Sequence, residues 1–110
     1  MTLKARPAPK HLRAAGRALW RGVLSDYDVS NAHDLARLQA AAECADRIEE
    51  AREAIARDGA YVEGRFGPKA HPALAIESAQ RSLLLRSLQA LGVDVVSVDP
   101  SRPPSRWRGK

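Results

Sequence analysis

One cysteine, Cys44, stands in 110 residues. It excludes an internal disulfide and any cysteine-based metal cluster built within one chain, and it suits a reducing compartment. Aromatic side chains make up only 5% of the sequence, so a core has to be assembled from Leu, Ile, Val and Ala. That set favours helices packed closely through small residues. No stretch approaches the ~20 apolar residues that a membrane-spanning helix needs. The basic N-terminal residues are not followed by the apolar run of a signal peptide. A soluble protein of the cell interior, with no membrane partner, is expected.

The usual constellations of chemistry are also missing. There is no phosphate-cradling glycine loop, no paired zinc ligands and no nucleophile elbow. His11, His33 and His71 lie far apart, with no carboxylate or cysteine at ligand spacing. Neither a metal, a cofactor nor a catalytic residue is expected. Cys44, between Ala42 and Ala45, reads as a buried packing residue, and the acids around it read as a solvated face of a helix.

What is abundant is charge, unevenly placed. Residues 1–21 hold Lys4, Arg6, Lys10, Arg13, Arg17 and Arg21 with no acid among them. Residues 22–64 contain ten of the thirteen acids. The chain then turns basic again and ends in Arg102, Arg106, Arg108 and Lys110. The three regions carry about +6, −6 and +5, a pattern that suits polyanion contacts at basic ends or head-to-tail contacts between copies of the chain.

The apolar pattern predicts a mainly all-α protomer of three helices, one of them long and central. Residues 1–9, with Pro7 and Pro9, read as a flexible basic arm. A first helix is predicted from Lys10, its stripe formed by Leu12, Ala15, Leu19, Val23, Leu24 and Tyr27. Arg13, Arg17 and Arg21 recur every four residues beside that stripe. They can neutralise successive phosphates, while Lys4, Arg6 and Lys10 follow the backbone of a duplex.

After a break at 26–31, Ser30 or Asn31 can cap a second helix from Ala32 to Asp58. Leu35, Leu38, Ala42, Ala45, Ile48 and Ile55 mark its stripe, with Arg52 interrupting the spacing. Glu43 with Arg47 and Glu53 with Arg57 form i,i+4 pairs on the outer face, and Gly59 stops the helix.

Two β-prone pairs around Glu63-Gly64 predict a short hairpin or ordered loop over 60–70. A third helix enters through His71-Pro72, where proline suits the first turn, and runs to Gly92 with Glu77 and Arg81 paired. Residues 93–110 comprise a short valine-rich, β-prone stretch and a basic Pro/Arg tail too polar to pack. Its Arg102, Arg106, Arg108 and Lys110 are contacts for DNA or for an acidic partner.

Leu83, Leu84 and Leu85 are consecutive. On a helix they point about 100° apart and cannot share one neighbour. With Leu88 they are candidates for a contact between subunits, which would bury the leucine that a lone protomer leaves outside.

The order of short motifs adds a further indication. Pro9-Lys10-His11-Leu12, Gly16 and Leu19-Trp20 resemble the opening helix of the phage terminase small subunits. Leu35, Leu38, Cys44, Asp46-Arg47 and the 49–55 stretch are similar to that family's long helix. Gly59, Gly67, Lys69-Ala70-His71-Pro72-Ala73, Glu77 and the run from Leu88 to Leu91-Gly92 are similar to its last segment.

The resemblance spans residues 9–92, a domain of about the range 10–92, and leaves the two ends unmatched. It implies a helical protomer that assembles into a homo-oligomeric ring in the cytoplasm of a bacterial host. It further implies double-stranded viral DNA, at the packaging-start region, and the large ATPase/nuclease subunit as partners. Two other readings fit the residues alone: an oligomeric helical adaptor whose basic ends bind acidic proteins, and a small DNA-binding transcription regulator. The long second helix and the loop before Leu74 suit the regulator poorly.

Overall fold

The computed structural model describes residues 6–93. They form a mainly helical domain: α1 (Ala14–Asp26), α2 (Ala32–Asp58), a hairpin of β1 (Tyr61–Gly64) and β2 (Gly67–Ala70), and α3 (Pro72–Leu91). Both α1 and α3 pack on α2, the longest element. Lys4, the valine-rich stretch beyond Val93, and Arg102, Arg106, Arg108 and Lys110 lie outside the described residues.

The boundaries of α2 and α3 follow from local chemistry. The Asn31 side chain accepts a hydrogen bond from the Asp34 amide and so satisfies one of the free N–H groups at the start of α2. Gly59 ends the helix at φ 87°. His71 caps α3, its Nδ1 accepting from the Ala73 amide, with Pro72 in the first turn and Gly92 at the far end in the left-handed region.

The start of α1 departs from the expected one. Residues 10–13 are not helical; the helix begins at Ala14, with Arg13 as an N-cap whose side chain caps nothing. The cap comes from α2. Asp46 Oδ2 accepts from the Arg13 amide and Oδ1 from the Gly16 amide, each at 2.7 Å. One carboxylate thus serves the two N–H groups that a capping box satisfies with two side chains, and its negative charge sits at the positive end of the helix dipole.

Space for this contact exists because residue 16 is glycine. A Cβ there would lie 2.7 Å from both the Ala42 carbonyl and Asp46 Oδ2.

The buried side of α1 also differs from the expected stripe. Gly16, Trp20, Val23 and Leu24 face inward, and Ala15 and Leu19 are only partly covered. Leu12 is buried from the segment before the helix.

The main core gathers Leu12, Trp20, Val23, Leu24, Tyr27 and Val29 against Leu38, Ala41 and Ala42 of α2 and Leu88 and Leu91 of α3. Burying each of its large side chains contributes about 1.5–3 kcal/mol. Between helices on two sides, α2 also buries Cys44, Ile48 and Ala51, while Leu35, Ala45 and Ile55 of the expected stripe are half-covered. Ala and Cys at these positions are what allow two helices to approach α2 closely.

On α3 the leucine run divides. Leu84 turns toward the core and Leu88 is 3% exposed within it, so Leu88 is unavailable to another subunit. Leu83 and Leu85 are exposed, pointing about 200° apart around the helix, and no single neighbour can cover both.

Two glycines of α1 give opposite expectations. Gly16→Ala should cost about 2–3 kcal/mol in urea unfolding, because overpacking against a backbone carbonyl cannot relax. Gly22→Ala, at an exposed site with nothing within 4 Å, should gain about 0.5–1 kcal/mol from the lower entropy of the unfolded chain. Equal midpoints for the two variants would remove the close approach of α1 to α2 as the reason for glycine at position 16.

Candidate nucleic-acid interface

The five described N-terminal cations expected to meet DNA, Arg6, Lys10, Arg13, Arg17 and Arg21, do not form one set. Arg13 faces α2 rather than solvent alone: its guanidinium meets Glu50 at 3.1 Å and Glu53 at 3.5 Å, and these carboxylates raise its pKa. His11 joins the same surface. Its Nε2 lies 2.8 Å from Glu43 Oε2, which also accepts from Gln39. The Gln39 and His11 hydrogen bonds hold the Glu43 carboxyl below its ordinary range.

The basic start of the chain and the acidic middle therefore neutralise one another in part, within one chain. This contact also redirects the expected pairs of α2. Glu43 meets His11, Glu53 meets Arg13, Arg47 turns to Glu50 and Arg57 to Asp58.

Arg17 acts on backbone. Its Nε donates to the Leu12 carbonyl at 2.8 Å and Nη2 to the Lys10 carbonyl at 2.9 Å. Trp20, one turn on, donates from its indole to the Arg6 carbonyl at 3.0 Å. Ala8 is partly buried against the core. Residues 6–12 thus lie along α1, held by their carbonyls, and residues 6–9 are part of the folded domain. This docking sets the Lys10 main chain against Arg17 and the Arg6 main chain against the side chain of the residue before Arg21. Among the described residues, none of Arg6, Lys10, Arg17 and Arg21 has a carboxylate within ion-pair distance.

Two features were not singled out from the sequence. Asp46 is buried at 3% exposure, not part of a solvated acidic face. The available signal was its spacing, one turn after Ala42 on the buried stripe; Asp34, equally buried, stands one turn before Leu38.

The second feature is the turn of the hairpin expected over 60–70, which falls not at Glu63-Gly64 but two residues later. The hairpin's register is antiparallel, Tyr61 opposite Ala70 and Gly64 opposite Gly67, and a two-residue turn, Arg65-Phe66, forms its tip. Arg65 lies 5.5 Å from the centroid of the Phe66 ring.

The Lys69-Ala70-His71-Pro72-Ala73 motif is a latch at the base of this hairpin. The His71 amide donates to the Ala60 carbonyl, its Nδ1 accepts from Ala73, and Nε2 meets Asp58 Oδ2 at 2.9 Å. With Nδ1 accepting, the ring hydrogen sits on Nε2 and donates to Asp58. One imidazole ties the end of α2 to the start of α3. The arrangement can hold two helices in register.

Asp58 sets a pH dependence. Its pKa is lowered by the His71 hydrogen bond and then by Arg57. A depressed carboxylate stabilises the fold fully above the usual carboxylate range, and that contribution is lost as pH falls through the depressed value. The thermal midpoint of the parent chain relative to Asp58→Ala should therefore decline on acidification below that range and stay level above it. A difference that does not change with pH would remove the latch.

Comparison with known proteins yields no matching family model, no matching curated protein and no matching solved structure.

Proposed function

We propose that this chain is a non-catalytic DNA-packaging subunit of the terminase small-subunit type. It binds double-stranded viral DNA at the packaging-start region and recruits the large ATPase/nuclease subunit. The observation that carries the DNA-binding part is the docking of residues 6–12 along α1, which leaves Arg6, Lys10, Arg17 and Arg21 without a carboxylate partner among the described residues. Cations left unneutralised beside an otherwise balanced surface are suited to phosphates, whose counterions they release on binding.

The family part is supported by what the resembling residues do. Gly16 and Asp46 form the α1–α2 contact, Gly59 ends α2, His71-Pro72 open α3 and Gly92 closes it. These are the positions at which this fold has least freedom, and shared spacing among them is what a common fold would require.

A second reading, an oligomeric helical adaptor, draws on another observation. Ile76 and Leu83 are exposed one above the other on α3, at 49% and 41%. A ring-forming packaging subunit and an adaptor would both use such a stripe, so the two readings part on DNA.

Duplex affinity should fall steeply with salt. Arg21→Ala and Lys10→Ala should each weaken binding and lower the salt slope by about one. Arg13→Ala, whose guanidinium is engaged by Glu50 and Glu53, should change the slope least. Light scattering of the purified chain should give a discrete assembly of several copies. Assembly without duplex binding at low salt would favour the adaptor, and a slope that responds to Arg13 but not Arg21 would overturn the interface drawn here.

A further inference from the structure

The fold places its single phenylalanine where the fold itself gains nothing from it. Phe66 is 95% exposed at the tip of the β1–β2 hairpin, in a chain that has only five aromatic residues. Trp20 and Tyr27 are in the core. The tip is cationic as well as aromatic: Arg65 precedes Phe66 and lies against its ring.

Lys69 reaches the same end of the hairpin. It pairs with Val62, but its Cγ and Cδ lie across Gly64, where a Cβ would meet them at 3.1 and 3.0 Å. Gly64 is two residues nearer the turn than Val62, so the bare glycine forms a track along which the lysine stem runs toward the tip. Neither Arg65 nor Lys69 is ion-paired among the described residues. The hairpin's one acid, Glu63, pairs with Pro68 and so belongs to the opposite face of the ribbon from Lys69.

We propose that this tip is a DNA wedge, Phe66 entering a base step of duplex DNA from the minor groove while Arg65 and Lys69 hold the phosphates beside it. The inference rests on the DNA-binding reading above and adds a mode of engagement to it. A duplex offers an apolar stacking surface between anionic backbones at every step, matching an aromatic ring between two cations. Apolar wedges that part base steps are an established physical device for bending DNA. The ribbon has the shape that insertion requires. Its strands stand about 5 Å apart, a two-residue turn makes a narrow tip, and the His71–Asp58 latch fixes its base.

The test uses the full chain and short duplexes carrying 2-aminopurine at successive positions, whose fluorescence rises when the base is unstacked. The parent protein is expected to bind and to raise the signal at one or a few positions. Phe66→Ala is expected to abolish that rise and weaken binding roughly tenfold. Because the ring is exposed, the variant's circular dichroism should be unchanged. Arg21→Ala should weaken binding while keeping the fluorescence rise at saturation.

Equal affinity and equal fluorescence for Phe66→Ala and parent would overturn the wedge while the DNA reading stands. Failure of the parent chain to bind any duplex at low salt would overturn both. A change in assembly mass on Phe66→Ala, with duplex binding and unstacking intact, would assign the tip to a protein contact instead and likewise overturn the wedge.

Discussion

The Asp46 carboxylate holds the start of α1. Without it, the Arg13 and Gly16 amides would be left without partners at the helix start, one of them in a buried position, and each such amide costs about 1–3 kcal/mol. The contact works only at the distance that Gly16 permits, so a missing side chain on one helix and a charged one on the next form a single device. From it follow the shift of the helix start to Ala14 and the path of the residues that precede the helix.

That path explains how charge is used here. Read along the chain, the basic start and the acidic α2 look like separate regions aimed at separate partners. In space they meet. Arg13 and His11 lie against Glu43, Glu50 and Glu53, whereas Arg6, Lys10, Arg17 and Arg21 have no ion pair among the described residues. Exposed pairs of this kind add little stability individually. Their consequence is to determine which cations remain open to an outside anion.

Much of the architecture was legible in the sequence because its signals are local. Asn31, Gly59, Pro72 and Gly92 mark helix ends through the chemistry of their own backbone, and the bounds of α2 and α3 follow from them. The start of α1 was not legible, since its cap is thirty residues away and no local pattern encodes it. The division of Arg13, Arg17 and Arg21 into an ion pair, a backbone clamp and an unpaired cation has the same origin. Four-residue spacing identifies a face, but what the face meets is decided by tertiary packing. The leucine run shows the converse: its geometry alone required Leu83, Leu84 and Leu85 to separate, and they do.

Residues 6–12 are gripped through main-chain oxygens, those of Arg6, Lys10 and Leu12, by Trp20 and Arg17, and through the buried Leu12 side chain and the His11–Glu43 contact. A carbonyl is the same whichever side chain follows it. Substitutions at positions 6 and 10 therefore leave the grip intact, whereas changes at Arg17 or Trp20 release it. Selection can alter the outward chemistry at positions 6 and 10 between lineages while the scaffold beneath stays constant, so sequence divergence should concentrate there and spare Leu12 and the residues that hold the segment.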